Sequence, residues 1–419
     1  MNFLKKLNRD NYDIVLVDTN NYHSFPPLFY QVASSGLEPA SISFPFRREL
    51  RKHNLNNVVY NLGEVKTINL AEQKITTQFE DLYYDKLVIA AGTTNNFFGM
   101  DELQKTVYTI KSTSEAIRCR NDILDRLEQA SLVKDDEKRR ELLRFVVVGG
   151  GPTGVEIAGA IGEMKKYVLK REYPNISIDD MSITIVEGTD RVLRTMGEQS
   201  SAHALRYLNA LLVDVKLGQN VKSYEDGMIT LTDGSTLPAA MVIWTAGVKG
   251  VGFKTEGGEL PITRGNRIEV DSMNRVKGFD NVFALGDISF MTTDPAFPNG
   301  HPQLAQVAIQ QGKNLAKNLS LKPGKEPKPF IYKDKGSMAT VGRNRAVVEL
   351  KHSQMHGFFA WLTWMFIHLI SLLGMRNKLV VFFNWLWAYF SYGTGLRLLI
   401  HPSKYPVRKR WIEESDLKK

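Results

Sequence analysis

Cysteine is almost absent from this 419-residue sequence, in which Cys119 is the single example. A disulfide framework is therefore excluded, and so is a dithiol redox centre within one chain. The N-terminus contains no apolar segment of signal-peptide length, which predicts an intracellular protein. With 43% apolar and 24% charged residues the composition is globular, and the length predicts two or three domains.

Signatures of nucleic-acid and metal binding are also missing. The net charge is +9, but no basic stripe interleaved with aromatic residues appears, so we predict no nucleic-acid partner. The positive charge increases around an aromatic C-terminus, which indicates attraction to an anionic membrane surface. Among the eight histidines only His352 and His356 have metal-ligand spacing, and further ligands are lacking nearby, so we predict no metal.

Two copies of one structural plan run along the sequence and together indicate an α/β protein. Each copy has a strand that ends in an acid and an apolar strand that ends in Ala-Gly, in the segments LVIAAGT and VIWTAGV. Between them, residues 114–144 have the three- and four-residue spacing of apolar positions that predicts a helix. The segment PQLAQVAIQQGKNLAKNL predicts another helix, beginning near Gln303.

A glycine loop in the second copy is the strongest chemical signal. Gly149, Gly151 and Gly154 follow the apolar strand at residues 145–148 and open a helix. The first glycine permits a tight turn, the second lets the backbone approach a pyrophosphate, and the third lets helix and strand pack closely. The helix N-terminus then offers unpaired N–H donors to the phosphates. A glycine-rich turn without a ligand is the alternative.

The acid that completes this dinucleotide site is Glu187, at the end of the next strand, SITIVE. A carboxylate there accepts both ribose hydroxyls and repels a 2′-phosphate, which favours NADH over NADPH. Arg191 and Arg194 lie close enough in sequence to weaken that inference.

The first copy has an acid, Asp18, but no glycine loop ahead of it. The strand at residues 13–17 begins too near Met1 for the strand and loop that normally precede such an acid by about 20 residues. Phe3, Leu4 and Leu7 have helical spacing and resemble the tail of the helix that follows such a loop. We therefore expect that about 15 to 25 upstream residues are missing from the sequence.

The segment NVFALGDIS supports a dinucleotide site in this first copy. It is an apolar strand that ends in Gly286 and Asp287. Glycine lets a dinucleotide pass close to the backbone, and the carboxylate can accept a hydrogen bond from a polyol chain such as ribityl. An ordinary turn at the end of a strand is the alternative.

From about residue 11 to residue 400 the chain resembles the type II NADH dehydrogenases, which are single-subunit NADH:quinone oxidoreductases that carry FAD and pump no protons. The resemblance rests on the segments VDTNNYHSFPPLFYQVASSGLEP, LVIAAGT, VVVGGGPTGVEIAG, VIWTAGV, NVFALGD, AQVAIQQG and GSMATVGRNRAV.

The resemblance implies two Rossmann-type dinucleotide-binding domains, arranged as in glutathione reductase, and a C-terminal amphipathic membrane-binding region. The FAD domain is discontinuous, at residues 1–112 and 256–345, and the NADH domain lies between its parts at residues 113–255. The membrane-association region is expected at residues 346–419. FAD and NADH are the implied cofactors, and a membrane quinone is the implied electron acceptor.

The site residues that the resemblance implies fall into three groups. Glu156 is expected near the nicotinamide and flavin rings. The helix near Gln303 is expected to direct its N-terminus at the flavin, and Gln306 and Gln310, which share one face of it, are expected to border the quinone site. The FAD ligands are expected to be Asp18, Ala91, Gly92, Thr93, Gly286, Asp287 and Ala305, and the NADH ligands Gly149, Gly151, Gly154 and Glu187.

The C-terminus is aromatic and basic. Residues 358–373 carry no formal charge apart from His368, and four of the six tryptophans lie at Trp361, Trp364, Trp385 and Trp387. Tryptophan is enriched at lipid interfaces, so we expect two helices that lie in the membrane surface. A dimer interface or a pair of buried core helices is the alternative. The basic residues suited to anionic headgroups are Arg397, Lys404, Arg408, Lys409 and Arg410.

The leading hypothesis is a peripheral enzyme on the cytoplasmic side of the inner membrane. One alternative is a flavin-dependent reductase of a soluble acceptor such as ferredoxin. Another is a membrane-bound NADH-binding protein that has lost flavin. The single cysteine argues against relatives that pass electrons through cysteine pairs. A homodimer is also considered.

Overall fold

Two dinucleotide-binding units and a C-terminal region make up the fold, as predicted. The computed structural model describes residues 1–391 and 396–399. The predicted basic residues Lys404, Arg408, Lys409 and Arg410 lie outside this described part.

The first unit begins with helical turns in which Lys5 and Leu7 donate their N–H groups to the carbonyls of Met1 and Phe3. Its strands are β1 (Ile14–Asp18), β2 (Tyr22–Ser24), β3 (Ser43–Pro45), β4 (Val58–Leu62), β5 (Val65–Asn69), β6 (Lys74–Thr77), β7 (Asp81–Tyr83), β8 (Leu87–Ile89) and β9 (Thr93–Asn95), and its helices are α1 (Phe29–Ala33) and α2 (Phe46–Lys52).

The second unit is built on a four-stranded parallel sheet in the order β12-β11-β10-β16. Its central strands are Val- and Ile-rich because helices cover both faces of such a sheet. The elements are α3 (Thr113–Leu132), α4 (Asp136–Leu142), β10 (Arg144–Val148), α5 (Pro152–Glu163), α6 (Leu169–Glu172), β11 (Ser182–Glu187), α7 (Glu198–Ala210), β12 (Asp214–Leu217), β13 (Val221–Glu225), β14 (Met228–Leu231), β15 (Thr236–Pro238) and β16 (Met241–Trp244).

The prediction of one helix over residues 114–144 is wrong in one respect, because α3 and α4 are separate helices. Asp135 causes the break. Its side chain accepts hydrogen bonds from the backbone N–H groups of Glu137 and Lys138, so it caps a new helix and leaves Val133 extended.

The chain then returns to the first unit. Strand β17 (Val248–Gly250) pairs with β9. Strand β18 (Lys254–Glu256) straddles the predicted domain boundary at residue 255 and pairs with β5. The returning elements are β17 (Val248–Gly250), β18 (Lys254–Glu256), β19 (Ile268–Glu269), β20 (Val282–Ala284), β21 (Ser289–Phe290) and α8 (Ala305–Leu319).

Two of the parallel strand pairs in the first unit, β1 with β4 and β8 with β20, belong to separate sheets. In the second unit, β10 joins the acid-ended strand β11 to the Ala-Gly strand β16. Among the described residues no strand joins β1 to β8 in that way, and Val15 and Val59 are exposed. The expected upstream strand and glycine loop therefore stay a prediction.

The C-terminal region consists of an antiparallel sheet followed by two helices: β22 (Ser337–Thr340), β23 (Ala346–Leu350), β24 (Ser353–His356), α9 (Gly357–Ser371) and α10 (Met375–Ser391). Asn377, Val381 and Trp385, spaced by four, form the buried face of α10. Within the described ranges, no helix combines the length and apolar character that crossing a bilayer requires.

Candidate functional site

The glycine loop between β10 and α5 has the geometry of a phosphate cradle. Gly149 has a φ of +104°, and a Cβ there would lie 2.8 Å from the backbone nitrogen of Ala246. A Cβ on Gly154 would lie 1.9 Å from the carbonyl oxygen of Gly149, so only glycine lets the helix approach the strand. A Cβ on Gly151 would meet no atom within 4 Å. This open space at a helix N-terminus fits a pyrophosphate.

Glu187 lies at the end of β11, next to this loop. Its two carboxylate oxygens accept the backbone N–H groups of Gly150, at 2.5 Å, and Thr189, at 2.8 Å. Each oxygen retains a second acceptor position for a ribose hydroxyl. Arg191 pairs with Glu198, and Arg194 pairs with Asp190.

A polar cluster surrounds Asp287 where β20 ends. Lys111 Nζ donates to Thr93 Oγ1 at 2.6 Å. Burial raises the pKa of Asp287, and the charges of Lys111 and Arg267 and the hydroxyl of Thr93 act against that rise. Burial also lowers the pKa of Lys111, against the opposing effect of Asp287 and Glu115. Thr93 and Asp287 are two of the predicted FAD ligands. They lie 194 residues apart in sequence, and the fold brings them together.

Four other predicted FAD residues lie in turns or at the ends of elements. Gly92 and Gly286 both have positive φ values, and a Cβ on Gly92 would meet no atom within 4 Å. Ala305 is the first residue of α8. Asp18 ends β1, and burial raises its pKa. An acceptor carboxylate beside cations and open glycine backbone fits the polyol of FAD, although the described residues supply no second glycine loop for its pyrophosphate.

Gln306 and Gln310 lie on one face of α8, as predicted, but their amides are already bonded. Gln306 exchanges hydrogen bonds with the backbone of Lys335 and Gly336, and Gln310 does the same with Lys333. Both side chains therefore fasten the segment before β22 to α8. Their predicted contact with a quinone stays a prediction, and it would require these bonds to exchange.

Gln311 is a residue that sequence reasoning missed. Its Oε1 accepts the backbone N–H of Gly286 at 2.7 Å and the hydroxyl of Ser289 at 3.3 Å, and the side chain is buried. It fixes the turn that presents Asp287. Its only signal in the sequence was an amide side chain directly after Gln310, on the inward-facing side of the predicted helix.

Glu156 lies on α5, two residues after the last glycine of the loop, and is 8% exposed. Burial raises its pKa to about 8. The backbone N–H of Thr340 lies 3.4 Å from its Oε1, and the indole of Trp364 faces it without a hydrogen bond of normal geometry. Burial therefore favours the protonated, uncharged form of this carboxyl.

Comparison with known protein families defines the class. The family model for pyridine nucleotide-disulphide oxidoreductases matches residues 1–312, and the model for the NDH2 C-terminal domain matches residues 335–391. The structure of Plasmodium falciparum NDH2 in complex with NADH has a TM-score of 0.86 at 22% identity, covering 94% of this chain and 97% of that one. The sulfide:quinone oxidoreductase of Aquifex aeolicus has a TM-score of 0.69 at 17% identity, covering 96% and 93%. These two likenesses establish the fold.

Relatives in sequence narrow this class. The type II NADH:quinone oxidoreductase Ndh of Mycobacterium tuberculosis is 34% identical over 410 residues, covering 94% of this chain and 87% of the relative. A mitochondrial internal alternative NAD(P)H-ubiquinone oxidoreductase of Arabidopsis thaliana is 31% identical over 417 residues, covering 91% and 80%. The chain belongs to the type II NADH:quinone oxidoreductase family, which confirms the resemblance seen in its motifs.

Proposed function

We propose that this chain oxidises NADH and delivers the two electrons through FAD to a membrane quinone, without pumping protons. One observation carries the proposal: the glycine loop with its acid and the polar cluster at Asp287 occur in one chain whose single cysteine is buried. Burial raises the pKa of the Cys119 thiol far above its usual value, so the thiol is unreactive. Electrons therefore leave the flavin without a thiol relay.

The residues of the second unit would hold NADH. The N–H groups at the start of α5 bind the pyrophosphate, and Glu187 accepts the ribose hydroxyls. Glu156 lies on the same helix, where it would face the nicotinamide as a neutral carboxylic acid. Because a neutral carboxylic acid carries no negative charge, it would not repel the electron-rich flavin ring beside the nicotinamide.

The residues of the first unit would hold FAD. Asp287, with Thr93 beside it, accepts hydroxyls of the polyol, and Asp18 takes the ribose of the adenosine. When bound, FAD accepts a hydride from NADH and gives two electrons to the quinone. The N-terminus of α8, which begins at Ala305, would stabilise negative charge at the flavin.

The outer faces of α9 and α10 support membrane association. Phe359 is 74% exposed, Trp387 70% and Phe390 76%, and they are joined by further exposed apolar side chains: Phe358, Leu362, Phe366, Ile370, Met375, Leu379, Phe382, Phe383 and Leu386. Core helices would bury such residues, so an apolar surface of this extent fits a lipid interface or a second copy of the chain. We favour the anionic lipid surface on the cytoplasmic side of the inner membrane. A homodimer through the same face stays a prediction.

Flotation with liposomes tests the membrane face. Phe359→Ser and Phe390→Ser together should cut binding to vesicles that contain anionic lipid, because each removes a large exposed ring from the interface. Phe79→Ser, which removes an exposed ring from the first unit, is the matched control and should leave binding unchanged. Equal binding by the double variant and the wild type would contradict the proposal.

Rapid mixing tests the electron path. The purified protein should show a flavin spectrum that bleaches with NADH and recovers on mixing with a short-chain ubiquinone or menaquinone analogue. A flavin that is reduced by NADH but is reoxidised only by ferredoxin would favour the soluble-acceptor alternative. A colourless protein that still binds NADH would favour the binding-protein alternative.

A further inference from the structure

An exposed phenylalanine near the glycine loop has an unusual backbone conformation. Phe98 follows β9 and is 63% exposed, and its φ is +52°. Positive φ is rare for a bulky residue, because its Cβ crowds the following carbonyl oxygen, and such strain clusters at functional sites. The neighbouring Phe97, by contrast, is 4% exposed and packs on Trp244, with the ring centroids 5.7 Å apart. Burial in the core therefore explains Phe97 but leaves Phe98 unexplained.

Hydrogen bonds hold the turn that presents this ring. The side-chain Oδ1 of Asn96 accepts the backbone N–H of Phe98 at 2.9 Å. The indole N–H of Trp244 is shared between the carbonyl oxygens of Asn96, at 3.0 Å, and Ala246, at 2.9 Å. Asn96 also donates its backbone N–H to the carbonyl of Gly247 at 3.3 Å. These bonds fix the left-handed backbone of Phe98 against the residues that follow β16.

The ring lies over the turn against which the glycine loop packs. A Cβ on Gly247 would lie 2.5 Å from Cζ of the Phe98 ring. The backbone nitrogen of Ala246 lies 2.8 Å from the position of a Cβ on Gly149. The hydroxyl of Thr245 donates to the carbonyl of Gly149 at 3.1 Å. Phe98 and the glycine loop therefore contact consecutive residues of one turn.

The order of the strands determines which half of a dinucleotide comes to this turn. Glu187, which would take the ribose of the adenosine half, ends β11, and the glycine loop that would bind the pyrophosphate follows β10. The strand on the opposite side of β10 is β16. A dinucleotide that extends across the carboxyl edge of this parallel sheet therefore places its nicotinamide half over the end of β16. That is the turn on which Phe98 lies.

The same turn also leads to the other cofactor site. Strand β17 follows Gly247 and pairs with β9, which precedes Phe98, so that Gly250 lies opposite Thr93. Thr93 belongs to the polar cluster at Asp287. The pair of β9 and β17 thus connects the cluster proposed for the polyol of FAD with the turn that carries the exposed ring. Nothing in the proposed function so far uses this ring.

We propose that Phe98 is a binding residue for the nicotinamide half of NADH, which covers the exposed phenyl ring in the complex. The proposal rests on the proposed function and adds a contact to it. An aromatic face would orient the nicotinamide and its ribose by packing, without a charged group. It would contribute nothing to the binding of a nucleotide that ends at its second phosphate. The left-handed backbone keeps the ring out of the core and over Gly247.

Replacing Phe98 by asparagine separates the ring from the turn. Asparagine adopts a positive φ more readily than phenylalanine, so Phe98→Asn should keep or raise the thermal stability of the wild type. Its Kd for NAD⁺, measured by calorimetry, should rise about tenfold. Its Kd for ADP, which has only the adenosine and the pyrophosphate, should stay at the wild-type value. Phe98→Tyr keeps the ring and should bind both nucleotides like the wild type.

The matched control is Phe79→Asn, which removes an exposed ring from the turn between β6 and β7 and should change neither Kd. If Phe98→Asn does not fold, Phe98→Gly allows the same comparison, because glycine adopts positive φ freely. An unchanged Kd for NAD⁺ in the folded variant would overturn the proposal. Equal weakening of NAD⁺ and ADP would also overturn it, because the loss would then lie in the glycine loop. A wild-type flavin that NADH does not bleach would instead overturn the proposed function.

Discussion

Replacing Glu156 by glutamine should change how stability depends on pH. Burial raises the pKa of Glu156 from 4.5 to about 8, so the folded state holds a proton over a range where the unfolded chain has released it. Between these two pKa values the folded state binds more protons than the unfolded state, and stability therefore falls as pH rises. Glutamine cannot titrate, so Glu156→Gln should lack this loss.

The size of the effect follows from the interval between the two pKa values. Each pH unit within it is worth about 1.4 kcal/mol, so the loss in the wild type reaches at most about 5 kcal/mol at pH 8 and above. Below pH 4.5 both states are protonated and the loss is absent. Plotted against pH, the unfolding free energy of Glu156→Gln minus that of the wild type should rise from pH 5 to pH 8 and then level off.

Urea denaturation at pH 5, 6, 7, 8 and 9, followed by tryptophan fluorescence, measures this difference. Glu141→Gln is the matched control, because its side chain is exposed on α4 and its difference curve should stay flat. A flat curve for Glu156→Gln would show that the carboxyl is ionised in the folded protein. The neutral acid that we place beside the nicotinamide would then be refuted.

Three further predictions follow from the two cofactor sites. Gly154→Ala should destabilise the second unit and abolish NADH binding, because its Cβ would lie 1.9 Å from a backbone oxygen. Gly151→Ala should keep wild-type stability and weaken NADH binding, because its Cβ would enter only the open cradle. Thermal unfolding with and without NADH distinguishes the two variants. Glu187→Ser should raise the KM for NADH by about tenfold and narrow the preference over NADPH, as steady-state kinetics would show, and an unchanged preference would refute its role. Gln311→Ala should cost about 1–3 kcal/mol of stability and release flavin on dialysis, whereas Gln310→Ala should cost about 1 kcal/mol or less and retain it; equal flavin loss by both would contradict the assigned roles.

The sequence alone was sufficient for features that depend on local spacing. The loop at Gly149 could be predicted because strand, glycines and helix are adjacent and each glycine has a steric reason. The strand ends at Asp18 and Glu187 could be predicted for the same reason. The break between α3 and α4 was missed because Asp135 serves equally well as a solvated helix residue and as a cap.

Features that depend on packing between distant segments could not be predicted from sequence. Lys111 and Asp287 interact only because the chain returns to the first unit after it has formed the second. The amides of Gln306 and Gln310 looked free because their partner, the backbone before β22, is extended chain with no motif of its own. In sequence Glu163 is one carboxylate on a helix, and only the packing of the C-terminal helices α9 and α10 places it in the wall of a cavity.

The central claim is that the protein transfers two electrons from NADH, through flavin, to a lipid-soluble quinone and pumps no protons. Proteoliposomes that contain a quinone and a trapped pH dye test it most directly, with NADH oxidation and quinol formation followed together. We predict one quinol for each NADH and no acidification or alkalinisation of the lumen beyond the passive control. NADH consumed without quinol, or protons moved across the bilayer in step with turnover, would contradict the account.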